Sequence, residues 1–349
     1  MSYIDTRSEE IKELHRIYNR DISDMIIELS NVPELQRISQ ISKNRGVELS
    51  SFNVFPYNYS RLDHAFGTAL ILDSFSQNKK HIIEAMLHEI AAPSFDFSVE
   101  YLRSYFKMKD FLTPSIFDAI VGSDNLFEKF FKGDLSINDI CNYQKYALGF
   151  AKFPRLSADN LEYILNTAFF TKICDNDEIR ELYYDLSIGP NEEGEDEFCF
   201  SDISIANKFC KLSMEIGKKA RSYEAKITMQ LIADVLMLMI RREEIKLEDL
   251  FKYSDKTLIE IGKNSSDKRI RDGWKEIESL NKVYIKFNPL ENSDKYCVKV
   301  SGDSLYIDPL VKTKAGIFRL SKLDQNIERE IETYLGSDTD LYMYIEYEL

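Results

Sequence analysis

Three of the four histidines in this 349-residue chain fall within one short stretch between residues 60 and 102. They are His64, His81 and His88, and the carboxylate of Glu89 directly follows the last of them. Imidazole nitrogens and carboxylate oxygens form a mixed ligand set that suits Mn, Fe, Zn, Ni or Mg and leaves positions open for water and phosphate. The stretch therefore predicts a metal centre, with buried histidines that only pack in a core as the alternative.

The spacing of apolar residues indicates which elements carry these side chains. His64 and His88 fall in two helical patterns separated by a turn at "SQNKK". We expect the two helices to be antiparallel, which can aim both imidazoles at one point. His81 is on the same face as His88 but two turns earlier, roughly 10 Å along the axis, which is too far to share an ion. We interpret His81 as an exposed residue that opens its helix.

The rest of the chain predicts a mainly α fold. Helical segments of ten to twenty residues run from residue 8 to about residue 285, and alternating apolar and polar residues follow. We therefore expect a helical domain over residues 1–285 and a small C-terminal α+β region over residues 286–349. That region contains one predicted helix, at "KLDQNIEREIETYL". Within the helical part, "EFCFSDI" is predicted to form a short strand after an acidic loop.

Composition excludes several classes of function. The net charge of −14 and the pI near 5.0 disfavour nucleic acid as a partner, because a phosphate backbone would be repelled by most of the surface. The five cysteines form no C-x-x-C pair, which suits reduced thiols in a cytoplasm. The chain shows no apolar run of membrane-spanning or signal-peptide length. We expect a cytoplasmic protein that does not enter a membrane.

Five stretches taken together resemble a known family. They are "NVPELQRISQIS" at 31–42, "VFPYNYSRLDHAFGTA" at 54–69, "MLHEIAAPSFDF" at 86–97, "LSADNLEYILN" at 156–166 and "LYIDPLV" at 305–311. Their order and approximate spacing are similar to those of the HD-domain phosphohydrolases, in particular the deoxynucleoside triphosphate triphosphohydrolase branch. The resemblance covers most of the chain and implies an HD-domain helical core with a small mixed lobe.

The resemblance also implies a set of metal ligands. The family holds its metal by a His, a His-Asp pair and a more distant Asp, and the matching positions are His64, His88, Glu89 and Asp159. Glu89 is one methylene longer than the family's Asp, which places its oxygens about 1.5 Å further from the backbone, whereas metal-ligand distances tolerate about 0.2 Å. Glutamate can still be a ligand, with a different geometry or a different metal.

Three further positions match residues that contact substrate in the family. Arg61 matches an arginine on the substrate phosphate, for which a guanidinium fork is well suited. The alternative is that Arg61 forms an ordinary surface ion pair with Asp63 or a neighbour. Tyr163 matches a tyrosine near the substrate and could equally be a core residue. Lys43 aligns with a substrate-facing glutamine.

The clearest departure from the family lies after the His-Glu pair. The family has two further histidines, linked to phosphate positioning and to protonation of the leaving oxygen, where this chain has Ala92 and Phe97. Asp96 and Glu100 lie beside the lost position, four residues apart and on one face of a helix. Either could be a substitute acid if burial raises its pKa. The alternative is that they are carboxylates favoured at a helix N-terminus.

Two functions follow as hypotheses. The first is a metal-dependent phosphohydrolase that acts on a nucleotide or another phosphate ester, with dNTP-like substrates foremost. The second is a catalytically weakened protein that binds a nucleotide or metal as a regulatory or assembly module. The resemblance implies a divalent metal (Mn, Fe, Ni, Zn or Mg), a phosphorylated small molecule as partner, and assembly into a homo-oligomer.

Overall fold

The computed structural model describes residues 2–102, 145–290, 294–301, 304–337 and 341–347. Residues 103–144 of the predicted helical domain lie outside these ranges. Fourteen α-helices lie in the described part: α1 Glu9–Tyr18, α2 Asp24–Ser30, α3 Pro33–Ile38, α4 Arg61–Phe75, α5 Lys79–Leu87, α6 Asp96–Glu100, α7 Ala158–Phe170, α8 Asn176–Tyr184, α9 Ile203–Ala220, α10 Tyr223–Arg241, α11 Asp255–Lys263, α12 Lys268–Ser279, α13 Leu320–Leu323 and α14 Gln325–Leu335. The same ranges contain seven strands: β1 Leu186–Pro190, β2 Asp196–Phe200, β3 Tyr284–Lys286, β4 Cys297–Lys299, β5 Leu310–Thr313, β6 Gly316–Arg319 and β7 Tyr342–Tyr344.

Helix α4 is the central element of the helical core. It packs on α1, α5 and α7, and every residue from Arg61 to Leu72 is buried. A capping box fixes its start: Ser60 Oγ accepts from the Asp63 N–H, and the Asp63 carboxylate accepts from the Ser60 N–H. A helix that is buried on all sides carries its polar residues into the protein interior. Arg61 and His64 are therefore placed in the core by their helix.

The helix that precedes His88 ends earlier than the apolar spacing predicts. Helix α5 begins after its N-cap Asn78 and ends at Leu87, so His88 is the C-cap residue and Glu89 lies in the turn that follows. The His88 Nδ1–H donates to the carbonyl of Ala85 at 2.6 Å, which satisfies one of the carbonyls that a helix end leaves free. The His-Glu pair thus lies at the end of α5 and in the turn that follows, and not inside a continuous helix.

The strands form two small sheets. One has the order β1-β2-β5-β6, with β2 and β5 parallel, and the other has the antiparallel order β3-β7-β4. The prediction of a mainly α chain with a small α+β part is confirmed, and "EFCFSDI" does contain a strand, β2. Through the pairs Cys199 with Leu310 and Phe200 with Val311, the mid-chain hairpin joins the C-terminal strands in one sheet. No described helix is long and apolar enough to cross a bilayer.

Asp255, the first residue of α11, ties together two segments that carry site residues. Its Oδ2 accepts from the Ser42 N–H at 2.8 Å, and its Oδ1 accepts from the Phe95 N–H at 2.9 Å. Ser42 precedes Lys43, and Phe95 precedes Asp96. Burial raises the pKa of the Asp255 carboxyl to about 7, although the Ser42 N–H opposes the rise.

This raised pKa predicts a pH dependence of stability. Because the folded protein holds the Asp255 proton more tightly than the unfolded chain does, the contribution is fully present below about pH 4 and is lost as the pH rises to about 7. We expect the free energy of unfolding in urea to fall between pH 5 and pH 8, by a few kcal/mol from this group. Asp255→Asn should remove that part of the fall, whereas Asp177→Asn at an exposed position should not. An equal fall in all three proteins would contradict the assignment.

Candidate metal centre

Four side chains from three parts of the fold converge on one point. Nε2 of His64 lies 2.9 Å from Asp159 Oδ1, and Nε2 of His88 lies 3.2 Å from the same oxygen. Glu89 Oε1 lies 3.8 Å and 3.7 Å from the two imidazole nitrogens. One ligand atom from each of His64, His88 and Glu89 falls within 4.8 Å of the others. Of the four residues that the resemblance implied, the structure thus groups His64, His88 and Glu89 and places Asp159 in contact with both histidines.

The hydrogen bonds of the two imidazoles determine which nitrogen atoms face the carboxylates. Nδ1 of His64 contacts the carboxylate of Glu162, and Nδ1 of His88 contacts the Ala85 carbonyl, so each Nδ1 carries the proton. In the neutral rings both Nε2 atoms are then acceptors, and they face the acceptor oxygens of Glu89 and Asp159. Acceptors at these distances repel one another unless a proton or a metal ion lies among them. The donor set therefore suits a divalent ion.

The charges of the site agree with this arrangement. Burial alone would raise the pKa of Asp159, but hydrogen bonds from His64 and His88, which form when a proton and not a metal ion lies between the groups, hold that pKa well below its usual range. Burial would also raise the pKa of Glu89, and the charges of Arg61 and Lys43 hold it well below normal. Both carboxylates are therefore ionised at neutral pH, which is the state in which a carboxylate can be a hard oxygen ligand.

Glu162 is a site residue that the sequence analysis missed. It is completely buried, and its carboxylate accepts from Tyr59 Oη at 2.6 Å and from Asn166 Nδ2 at 2.8 Å in addition to contacting His64. Tyr59 Oη in turn lies 3.0 Å from Nε2 of His15, the fourth histidine of the chain. A carboxylate behind a ligand imidazole fixes its tautomer and orientation. Its spacing of three residues from Asp159, on one face of α7, was a signal that could have found it.

Gly67 makes room for Glu162. A Cβ on Gly67 would lie 2.9 Å from both Cγ and Oε1 of Glu162. Gly67→Ala normally strengthens a helix interior by up to about 1 kcal/mol. Here we expect the opposite, a loss of about 1–2 kcal/mol in unfolding free energy together with weaker metal binding, because Glu162 must move away from His64. Urea unfolding and Mn²⁺ titration measure both effects, and a stabilised variant would show that the contact is relaxed without cost.

Two cations contact the same oxygen of Glu89. The Arg61 guanidinium lies 2.7 Å from Glu89 Oε1 and also contacts Asp96, and Lys43 Nζ lies 3.1 Å from Glu89 Oε1. Arg61 is 2% exposed. The alternative of a surface ion pair with Asp63 is wrong, because Asp63 pairs with Arg7 at 2.7 Å. Arg61 lies inside the site.

A cleft of about 800 Å³ opens beside these residues. Asp159 and Tyr163 line it, and Tyr163 is half-buried there, in a position to touch a ligand. Basic side chains outnumber acidic ones on its wall, although the whole protein is acidic; they are Lys43, Arg45, Lys152, Arg221 and Lys226, against Glu100 and Asp159. Low-dielectric walls of one sign attract an oppositely charged ligand. The cleft therefore suits an anion.

The segment after the His-Glu pair contains the two candidate acids. Asp96 and Glu100 lie on the single-turn helix α6, as the four-residue spacing predicted. Asp96 pairs with Arg61, yet burial raises the pKa of its carboxyl above the usual value. Glu100 is exposed on the wall of the cleft. Phe97 is 37% exposed, and the Arg45 guanidinium lies 3.8 Å from the centre of its ring.

His81 is placed differently from the prediction. It was interpreted as an exposed residue, but it is half-buried, and its ring stacks on Tyr146 with centroids 3.2 Å apart. The reason is that residues before α7, distant in sequence, cover this face of α5. His81 is not in the group of possible ligands formed by His64, His88 and Glu89.

Comparison with known proteins shows the fold. No protein-family model matches the chain, and no curated protein matches it. A solved structure of a hypothetical protein from Aquifex aeolicus is 15% identical, with a TM-score of 0.65 over 93% of this chain and 93% of that chain. A phosphohydrolase from Bacteroides thetaiotaomicron is 14% identical, with a TM-score of 0.64 over 94% of this chain and 97% of that chain. This protein shares its fold with both over most of its length.

Proposed function

We propose that this protein is a metal-dependent phosphohydrolase of the HD class, and that it acts on a nucleotide or a related phosphate ester. The observation that carries the proposal is the convergence of two imidazole nitrogens and two carboxylate oxygens beside a cation-lined cleft. The shared fold with a phosphohydrolase supports the same reaction class. The five sequence stretches that resemble the deoxynucleoside triphosphate triphosphohydrolases support dNTP-like substrates.

His64, His88, Glu89 and Asp159 would hold the metal ion. A divalent ion in this site supplies a Lewis acid that polarises phosphate and lowers the pKa of water. The chain's own cations have separate tasks. Arg61 is held between Glu89 and Asp96 and supplies a fixed positive charge beside the metal ligands, whereas Arg45 and Lys152 supply charge along the cleft, where a phosphate group can reach it.

Protonation of the leaving oxygen falls to a carboxyl group. Ala92 and Phe97 carry no transferable proton, so we assign this step to Asp96 or Glu100. Burial favours Asp96, because it raises the pKa of that carboxyl. Access favours Glu100, because it is on the cleft wall, where a substrate oxygen can reach it. The proton would move from the carboxyl oxygen to the departing oxygen of the ester as the P–O bond breaks.

A binding module is the second candidate function, and one observation favours it. Asp96 is engaged by the buried Arg61, which holds it in an ion pair and opposes its protonation. If neither carboxyl donates a proton, the site would still bind a metal ion and a phosphate group while hydrolysing slowly. The protein would then bind a nucleotide as a regulatory signal and would not hydrolyse it at a useful rate.

A direct experiment separates these functions. Purified protein is stripped with chelator, reloaded with Mn, Fe, Ni, Zn or Mg, and assayed for product release from dNTPs, NTPs, cyclic nucleotides and phosphomonoesters. We expect metal-dependent hydrolysis of at least one class. Stoichiometric metal binding with no hydrolysis of any substrate would favour the binding module. No binding of any of the five metals would overturn both the metal centre and the proposed activity.

A further inference from the structure

The oxygen of Glu89 nearest the two imidazoles is already occupied by two cations of the chain. Glu89 Oε1 lies 3.7 Å and 3.8 Å from the histidine nitrogens, and it lies 3.1 Å from Lys43 Nζ and 2.7 Å from Arg61. A carboxylate oxygen has two lone-pair sites. With both sites engaged in charge-assisted hydrogen bonds, this oxygen can bind a divalent ion only after one of the cations leaves.

Arg61 is the cation that stays. Its guanidinium also contacts Asp96, its side chain is 2% exposed, and it lies on the first residue of the buried helix α4. Moving it would break two ion pairs and open a space in the core. An arginine held in this way by two carboxylates is a fixed part of the site.

Lys43 is the cation that can move. Its backbone is held firmly, since its N–H donates to the Tyr59 carbonyl at 2.8 Å and the neighbouring Ser42 pairs with Ser60. Its side chain, however, is a flexible stem with a compact charge at its end, and it lines the cleft as well as the metal centre. The ammonium can therefore turn from Glu89 toward the cleft without any backbone movement.

The cleft offers the ammonium a second kind of partner. An anion held by Arg45 and Lys152 would lie on the same wall as Lys43 and would attract its charge. Arg221, on the same wall, donates to Ser304 Oγ at 2.8 Å and to the Tyr334 carbonyl at 2.9 Å, both neutral groups, so its charge also remains to attract an anion.

We propose that Lys43 is a resident cation of the metal centre, by which we mean that its ammonium pairs with Glu89 as long as no phosphate is bound. A phosphate group in the cleft draws the ammonium away from Glu89, and this exchange couples phosphate binding to divalent-ion binding. The inference rests on the proposed metal centre and adds a means of regulating it. By linkage, an anion that frees Glu89 strengthens metal binding, and the metal strengthens anion binding by the same factor.

The test is a calorimetric titration of Mn²⁺ into wild type and Lys43→Gln, with and without inorganic phosphate. Glutamine keeps the length of most of the stem and removes the charge. Without phosphate, we expect Lys43→Gln to bind Mn²⁺ about tenfold more tightly than wild type, because a competing cation is gone. We also expect phosphate to increase the Mn²⁺ affinity of wild type by a larger factor than that of the variant.

The matched control is Lys172→Gln, which removes the same charge at an exposed position outside the cleft, where the lysine pairs with the exposed Glu10. Its Mn²⁺ affinity should stay within about twofold of wild type. An equal gain in both variants would indicate a general effect of charge and would overturn the inference. So would an unchanged or weaker affinity in Lys43→Gln, or an equal phosphate effect in wild type and Lys43→Gln.

The outcomes also separate this inference from the proposed function. If wild type binds one Mn²⁺ and Lys43→Gln behaves like wild type, the resident-cation role fails and the metal centre stands. If none of the proteins binds Mn²⁺ stoichiometrically, the metal centre fails and the inference with it. Lys43→Met, which keeps a straight apolar stem, replaces the glutamine variant if thermal denaturation shows that the latter is unfolded.

Discussion

The His64→Ala variant is expected to bind no divalent ion stoichiometrically and to lose metal-dependent hydrolysis by about a thousandfold or more. His64 is completely buried and provides one of the two imidazole nitrogens that face Asp159. Alanine removes that ligand and also leaves the buried carboxylate of Glu162 without its imidazole partner. The remaining groups, His88, Glu89 and Asp159, cannot enclose an ion from the side that His64 occupied.

The same substitution should lower stability. A cavity and an incompletely satisfied buried carboxylate together cost about 2–4 kcal/mol of unfolding free energy. Elemental analysis, Mn²⁺ titration and urea unfolding measure the three effects separately. His81→Ala is the matched control, because it removes an imidazole from α5 without touching the cluster, and we expect it to retain metal. If His64→Ala retained a full equivalent of metal, the ligand assignment would be wrong.

Glu162→Gln is expected to weaken metal affinity by about 10- to 100-fold. The carboxylate accepts from Tyr59 and Asn166 and holds the Nδ1–H of His64. A glutamine amide offers one oxygen for these donors and turns its own N–H group toward at least one of them. His64 then loses its fixed tautomer, so its Nε2 is no longer always the acceptor that a metal needs.

The substitution also leaves buried donors without an acceptor, which costs about 1–3 kcal/mol of unfolding free energy. Tyr59→Phe is the graded comparison, since it removes one donor and leaves the carboxylate in contact with His64. We expect it to have a smaller effect on metal affinity than Glu162→Gln. Equal metal affinity in wild type and Glu162→Gln would show that Glu162 serves packing alone. Calorimetric titration and urea unfolding provide both measurements.

Much of the ligand set was accessible from residue types and motif order. His64, His88, Glu89 and Asp159 were named from the resemblance, and the structure places the first three within 4.8 Å of one another and Asp159 against the two histidines. Their role as metal ligands stays a prediction. Their closeness could be predicted because each lies in a motif whose order and spacing are similar to those of a family in which the matching residues share one metal. The sequence analysis missed Glu162 because a glutamate on a helix is normally a surface residue.

Helical structure was likewise predictable from apolar spacing, which is a local property. The end of α5 at Leu87 and the strand β6, which forms a hairpin with β5, were not predicted. The pairing of β2 with β5 was not predicted either, because it joins residues far apart in sequence. His81 was misplaced for the same reason. Whether a histidine is exposed depends on which distant segment covers it, and here that segment includes Tyr146.

The order of amino acids alone was sufficient for the mainly α class and for His64, His88 and Glu89 as candidate ligands, and the family resemblance added Asp159 and the absence of histidines at Ala92 and Phe97. Only the tertiary structure could show that Arg61 and Lys43 share one oxygen of Glu89, that Asp96 holds Arg61, and that Glu162 supports His64. These are pairings between charged groups from different elements. A charged group that is buried away from water must be paired with an opposite charge. Which partner it pairs with depends on the packing of distant segments, so the local sequence does not predict it.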